Sequence, residues 1–263
     1  MRQIKQIFKV ICLVVLCISF VGEGMSLKAS QPNKKLLPIY CVDTQGEKKV
    51  ALTFDAAWGA DDTDQIIEIL GKYNVKATFF MVGDWAKKYP EAVKKFQEAG
   101  HDIANHSNKH PHVCQMNKEA IKKDLLEAHA TLKELTGTQP YLYRPPYGEY
   151  NNTVLEAAKE CGYYTIQWDV DSLDWKEYGL EPLINKVLNH KNLRPGTIIL
   201  MHNDTKYTAA ALESIVKGII DKGYTFVPVS ELIYKDMNCK IDHEGRQLAP
   251  VSQAADTNTQ QVN

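Results

Sequence analysis

Between Lys48 and Tyr234 the chain changes its hydrophobic period again and again, and this constrains the fold more than any other feature. Short apolar runs suited to buried strands alternate with segments whose apolar residues recur at helical spacing. Val50–Phe54 reads as a strand, and Ile66, Ile67, Ile69 and Leu70 follow at helical spacing. Ala77–Val82 reads as the next strand, followed by a helix through Ala92, Val93 and Phe96 that Gly100 stops. Asp102–Asn105 is a short third strand, and a long helix through Ile121, Leu125, Leu126, Leu132 and Leu135 ends at Gly137. Tyr141–Arg144, Tyr164–Trp168, Thr197–Met201 and Tyr224–Val227 complete the series, with helical segments between them. Seven such units in order predict an α/β protein with a parallel sheet and helices outside it. Closed, the sheet is a distorted (β/α)7 barrel, an incomplete version of the eight-unit form. The alternative is an open doubly wound sheet, but no G-x-G-x-x-G and no phosphate loop follows the first strand. Ahead of that strand, Ile39–Val42 reads as a leading edge strand, joined by a turn with Asp43 and Gly46.

The flanks are of different character. Arg2, Lys5 and Lys9 precede Val10–Val21, an uncharged, mostly apolar run of twelve residues. That is short for a spanning helix, which needs about 20 apolar residues, and it fits the core of a signal peptide with a basic flank. Leu27-Lys28-Ala29 is a weak cleavage site, and Leu16 before Cys17 argues against a lipoprotein, so an uncleaved N-terminal anchor is the other reading. Either way the domain is expected outside the cytoplasm. The divisions are then 1–29 for export or anchoring, 30–47 for the leading segment, 48–234 for the working domain and 235–263 for a disordered polar tail. Cys12 and Cys17 fall in the export segment; Cys41, Cys114, Cys161 and Cys239 are scattered and form no C-x-x-C pair. A Cys41–Cys239 bridge would join the domain's two edges, a geometry sequence does not test. With 31 Lys and Arg against 32 Asp and Glu, the chain lacks the basic footprint of a nucleic-acid binder. Oligomeric state is open.

Chemistry in parallel α/β folds gathers at the carboxyl ends of the strands. Those positions carry Asp55, then His106 and His110, then Arg144 and Tyr147, then Asp171, Asp174 and Trp175, then His202. Singly, each has a plain reading: Asp55 as a helix cap, Arg144-Pro145-Pro146-Tyr147 as a proline-fixed turn, a lone histidine as a surface residue. Together, at matching ends of successive strands, they predict a site. His106 and His110, four apart, would share one face of a helical turn within reach of a single ion. His101 and His112 are read as lying outside that shell.

Thr53-Phe54-Asp55, His106-Ser107-x-x-His110, Arg144-Pro145-Pro146-Tyr147, Asp171-x-x-Asp174-Trp175 and Leu200-Met201-His202 resemble, in order, the five motifs of the polysaccharide deacetylases with a NodB homology domain (carbohydrate esterase family 4). The resemblance covers roughly Lys48 to Tyr234. Phe54–Gly59 and Trp168–Trp175 look most like the sporulation-associated branch. It implies a NodB-like barrel that hydrolyses the acetamide of N-acetylhexosamine residues in peptidoglycan or a chitin-like polymer. It implies Asp55 as general base, His202 as general acid, and Arg144 and Asp174 as the residues that orient them. His106 and His110 would hold a divalent metal, usually Zn2+, with Co2+ or Mn2+ as alternatives. The backbone N–H of Tyr147 would stabilise the oxyanion, and Trp175 and Leu200 would wall the pocket for the acetyl methyl.

One position departs from the family's pattern. Its first motif carries a second Asp, the third metal ligand, directly after the base; here that position is Ala56. Catalytic zinc normally keeps three protein ligands. Asp55 could itself ligate the ion, Asp61, Asp62, Asp64 or water could fill the gap, or the ion is lost. The alternatives to a deacetylase are therefore a silent glycan-binding envelope protein, with Trp58, Trp85, Tyr147 and Trp175 along its cleft, and a hydrolase for another amide or ester on the same scaffold.

Overall fold

The computed structural model describes residues 35–250, and the export segment lies outside the described residues. Among those described, no helix is long and apolar enough to cross a membrane. The strands are β1 (Cys41–Val42), β2 (Lys49–Ala56), β3 (Thr78–Met81), β4 (Asp102–Asn105), β5 (Leu142–Tyr143), β6 (Tyr164–Thr165), β7 (Val170–Asp171), β8 (Ile198–His202), β9 (Thr225–Phe226) and β10 (Arg246–Gln247). The helices are α1 (Thr63–Lys72), α2 (Gly83–Lys88), α3 (Pro90–Glu98), α4 (Lys118–Thr136), α5 (Asn152–Glu160), α6 (Leu180–Leu188), α7 (Thr208–Asp221) and α8 (Val229–Leu232). Local sequence sets several of their ends. Asn117 and Asn151 cap α4 and α5 by accepting from Ala120 N–H and Val154 N–H, and Gly137 ends α4 at φ 68°.

The main sheet runs β6-β5-β4-β3-β2-β8-β7, all neighbours parallel, and β9 pairs with the start of β2. This is the distorted (β/α)7 barrel. The central strand is buried on both faces, as parallel strands covered by helices are. Val50, Leu52, Phe54 and Ala56 join the outer apolar layer with Ile66 and Leu70 of α1 and Val216 and Ile219 of α7. Ala51 instead joins Phe80, Ala104, Leu142, Ile166 and Ile198 in the barrel interior. The period of two in β2 thus assigns Asp55 to the interior side and leaves Ala56 on the helix side.

Two parts of the sequence reading are corrected. Asp171 does not close the Tyr164–Trp168 strand: Val170–Asp171 is a separate strand that pairs with β8, so Asp171 is held in register opposite Leu200. The tail is not structureless from 235 onward: β10 pairs in parallel with β1, Cys41 opposite Arg246 and Val42 opposite Gln247. Gln247 is buried, and its amide accepts from Tyr234 N–H at 2.9 Å and donates to Tyr234 O at 2.8 Å. A polar composition concealed this, because the buried group is an amide that bonds backbone as backbone would. Residues 251–263 lie outside the described residues.

The leading segment does more than edge the sheet. Strands β6 and β7 are consecutive in sequence but sit at opposite ends of the strand order. Ile39 N–H donates to Thr165 O at 2.9 Å and Ile39 O accepts from Gln167 N–H at 2.7 Å, while Val42 N–H donates to Gly196 O at 3.0 Å. Residues 39–42 therefore run from the β6 edge to the start of β8. All four described cysteines are unpaired, and Cys41 Sγ faces the Arg194 guanidinium at 3.6 Å.

Candidate active site

Register brings the first pair together. Asp55 and His202 are direct partners in the β2–β8 ladder, at the carboxyl ends of both strands. Asp55 Oδ1 accepts from Arg144 Nη1 at 2.7 Å, and the carboxylate is buried. Burial pushes its pKa up, but Arg144, with smaller help from His106 and His202, outweighs that and holds it below the usual carboxylate range. Arg144 is itself fully buried, its guanidinium 4.0 Å from the Phe80 ring centre and its Nη2 donating to Gln167 O at 3.2 Å. Its carbonyl oxygen has a second use: it lies 2.8 Å from His106 Nδ1, so that nitrogen carries the proton and Nε2 is left with its lone pair. One residue thus orients both Asp55 and His106.

The two imidazoles come from an irregular loop, not from the helical turn their spacing suggested. Ser107 and His110 have φ of 70° and 54°. The loop is held by Ser107 N–H donating to Asn105 Oδ1 at 2.8 Å and His110 N–H donating to Ser107 Oγ at 2.9 Å. The rings are still brought together, 4.9 Å between centroids. Burial lowers the pKa of both, that of His110 to about 4, so both are neutral and able to offer a lone pair. Asp55 Oδ2 lies 3.5 Å from His106 Nε2. Among the described residues, no group of three or more His, Cys, Asp or Glu is arranged to hold a metal ion. The donors fit a divalent ion carried by His106 and His110, with the remainder of its shell from solvent or substrate; they do not fit a closed three-ligand site. The substitutes weighed from sequence are not in the cleft: Asp64 pairs with Lys95 at 2.6 Å, Asp62 accepts from Asp204 N–H at 2.7 Å, and Asp61 N–H donates to Asp204 at 3.3 Å.

Opposite them, Asp174 is bound on every side. Its Oδ1 lies 2.7 Å from His202 Nδ1, and its Oδ2 accepts from His202 N–H and from Thr208 Oγ1, each at 2.7 Å. Burial lowers the His202 pKa, but the hydrogen bond and charge of Asp174 more than offset it, so the net shift is upward. With Nδ1–H given to Asp174, Nε2 is the free nitrogen of that ring. Asp55, His106, His110 and His202 line one cleft of about 790 Å³ with Tyr147, Trp168, Asp171, Trp175 and Leu200, while Arg144, Asp174 and Thr208 are buried behind its wall. Trp58, Tyr147 and Trp175 are 50 %, 58 % and 49 % exposed at its rim, whereas Trp85 is 3 % exposed and donates to Gly59 O at 2.9 Å, a core residue with one edge on the cleft. The Trp58 ring sits 5.1 Å from that of His202. Tyr147 has φ 58°, a conformation bulky residues rarely hold, beneath a turn fixed by Gln167 Nε2 donating to Gly148 O at 3.0 Å. His101 and His112 lie outside the cleft, His101 buried against Ala77 N–H and His112 beside Glu149.

The sequence model described as polysaccharide deacetylase matches residues 42–166. A peptidoglycan-N-acetylglucosamine deacetylase of Bacillus cereus is 37 % identical over 192 residues, covering 71 % of this chain and 89 % of that one. The chain belongs to the polysaccharide deacetylase family. That is a family of hydrolases acting on carbon–nitrogen bonds other than peptide bonds. A further polysaccharide deacetylase, the peptidoglycan-N-acetylmuramic acid deacetylase PdaA of Bacillus subtilis, is 32 % identical over 197 residues, covering 72 % of this chain and 73 % of that one. Among solved structures, a CE4 family pseudoenzyme from Bacillus anthracis superposes with a TM-score of 0.71 at 30 % identity, over 81 % of this chain and 73 % of that one. A mutant of that pseudoenzyme with restored enzymatic activity superposes equally well, at 0.71 and 31 % identity, over 80 % of this chain and 72 % of that one.

Against the family's five motifs, sequence reasoning missed the residues that act from beneath. Phe80 under Arg144, the carbonyls of Arg144 and Gln167, Asn105 under the histidine loop and Thr208 behind Asp174 carry no motif. Only Asn105 left a trace, as the polar residue that closes the strand directly before His106. Lys88 and Lys109 also line the cleft and were not singled out.

Proposed function

We propose that this protein removes N-acetyl groups from N-acetylhexosamine residues of a cell-wall polysaccharide, peptidoglycan before a chitin-like polymer, on the outer side of the membrane. The observation that carries the reading is the facing pair at the end of β2 and β8. An ionised carboxylate, Asp55, and an imidazole with a raised pKa, His202, share one cleft with their protonation states pushed apart.

Asp55 takes a proton from the attacking water, and Arg144 fixes the direction of its free oxygen. The Tyr147 N–H donates to the acetyl oxygen as negative charge develops there. Nε2 of His202 delivers a proton to the departing amine, and Asp174 steadies the imidazolium form before transfer. The C–N bond breaks, leaving acetate and a free amino sugar. Trp175 and Leu200 bound the space for the acetyl methyl. His106 and His110 would hold a divalent ion, Zn2+ with Co2+ or Mn2+ as alternatives, whose Lewis acidity polarises the carbonyl and makes water more acidic. A basic-then-apolar amino terminus supports the extracytoplasmic setting, and the Phe54–Gly59 resemblance supports a role in sporulation.

Ala56 and the likeness to a pseudoenzyme favour a second reading, glycan binding without turnover. Acetate release by the full chain from peptidoglycan fragments and chitooligosaccharides, metal-stripped and then titrated with Zn2+, Co2+ or Mn2+, separates the two. Metal-dependent release supports the deacetylase. Glycan binding without release under any ion supports the silent protein.

A further inference from the structure

We infer that the cleft recognises a glycan carrying a carboxylate, through Lys88 and Lys109 on the wall beside His110. This rests on the glycan reading above and adds which class of glycan is taken.

The two lysines belong to adjacent segments. Lys88 ends α2, and Lys109 lies in the histidine loop. Gly83 N–H donates to Ser107 O at 2.9 Å and Asp84 N–H to Asn108 O at 3.0 Å, so the first turn of α2 is tied to that loop. Both side chains are exposed and both line the catalytic cleft. Neither makes an ion pair with a carboxylate among the described residues, although surface lysines elsewhere on the molecule repeatedly do, as with Lys94–Glu91 at 3.0 Å and Lys118–Glu156 at 2.8 Å. Asp84 shares the wall, but Lys87 stands 3.9 Å from it and offsets its charge. Asp55, deeper in, is taken up by Arg144 at 2.7 Å. The uncompensated charge of this wall is therefore positive, in a chain whose overall charge is −1; the cleft's other carboxylate, Asp171, belongs to β7 on the far side of β2. A neutral sugar gains only hydrogen bonds to its hydroxyls from two ammonium groups; an acid-bearing sugar also gains an opposite-charge partner and a steered approach. In peptidoglycan, alternate N-acetylhexosamines carry a lactyl ether that ends in a carboxylate or continues into an acidic peptide. A chitin-like polymer has no such group.

The test compares two peptidoglycan disaccharides, one with its lactyl group as the free acid and one with it converted to the neutral amide. Binding to the metal-stripped full chain is followed by calorimetry, so turnover does not enter. The acid should bind about three- to tenfold tighter at low salt, the range open to two exposed cation–carboxylate contacts. The preference should vanish in Lys88→Ala/Lys109→Ala and survive in Lys88→Arg/Lys109→Arg, with melting curves confirming that both variants fold. Equal affinity of the wild type for acid and amide overturns the inference and leaves the glycan reading standing. A preference that persists in the double alanine variant overturns the assignment to these lysines. No binding of either sugar, with no acetate released on metal addition, overturns both readings.

Discussion

At the scale of single residues, Asp55 and Ala56 sit side by side on β2 and point to opposite layers of the fold, and their chemistry differs accordingly. Asp55→Asn keeps shape and removes the proposed base, so acetate release should fall by about 10²- to 10⁴-fold. Melting should change little, and a variant with near-wild-type turnover would remove Asp55 from the mechanism. Ala56→Asp adds an oxygen donor at the last residue of the strand. Zinc affinity should rise by at least about tenfold, read by competition with a chelating dye. The melting temperature should drop, because the side chain starts in an apolar layer. Unchanged affinity would mean that the new carboxylate stays in the apolar layer and does not reach the ion. For His202 the sign follows from its partner. Asp174 raises its pKa, so the alkaline limb of kcat/KM, where the acid loses its proton, lies above the ordinary histidine range. Asp174→Asn weakens that support and should move the limb to lower pH; an unmoved limb would assign it to another group.

At the scale of elements, the loop after β2 is a clamp on Trp58. Gly59 O accepts from Trp85 Nε1 at 2.9 Å and from Asn203 Nδ2 at 2.8 Å, and a Cβ at Gly59 would overlap the Asp204 carboxylate. Gly59→Ala should therefore cost about 1–3 kcal/mol and displace Trp58 from His202, visible as a change in tryptophan emission and in a denaturant melt. The strand–helix alternation and the polar residues closing the strands were readable because buried parallel strands and helices leave different periods in a sequence, and the folded site assembles the strand-end residues read from it. The histidine loop was not readable. Four-residue spacing is common to a helical turn and to a loop in which Ser107 and His110 adopt positive φ, and only backbone conformation tells them apart. Nor does any sequence signal announce that a carbonyl, that of Arg144, selects the tautomer of His106.

At the scale of the whole molecule, the two ends of the described chain meet. Gln247→Ala leaves the N–H and the C=O of Tyr234 without their partners, and should destabilise the fold by about 1–3 kcal/mol in urea denaturation. A loss of only a few tenths would show that water replaces the amide. The same meeting has a kinetic side. Cys41 faces Arg246 across nearly the full length of the described chain, and residues 39–42 bridge the barrel's open side. Such a contact has the highest sequence separation available, and forms late on loop-closure grounds. Until the last strand has been delivered, the first strand has no partner on that side. Under the proposed extracytoplasmic setting such a chain stays pliable while threading through a narrow channel and locks only on arrival.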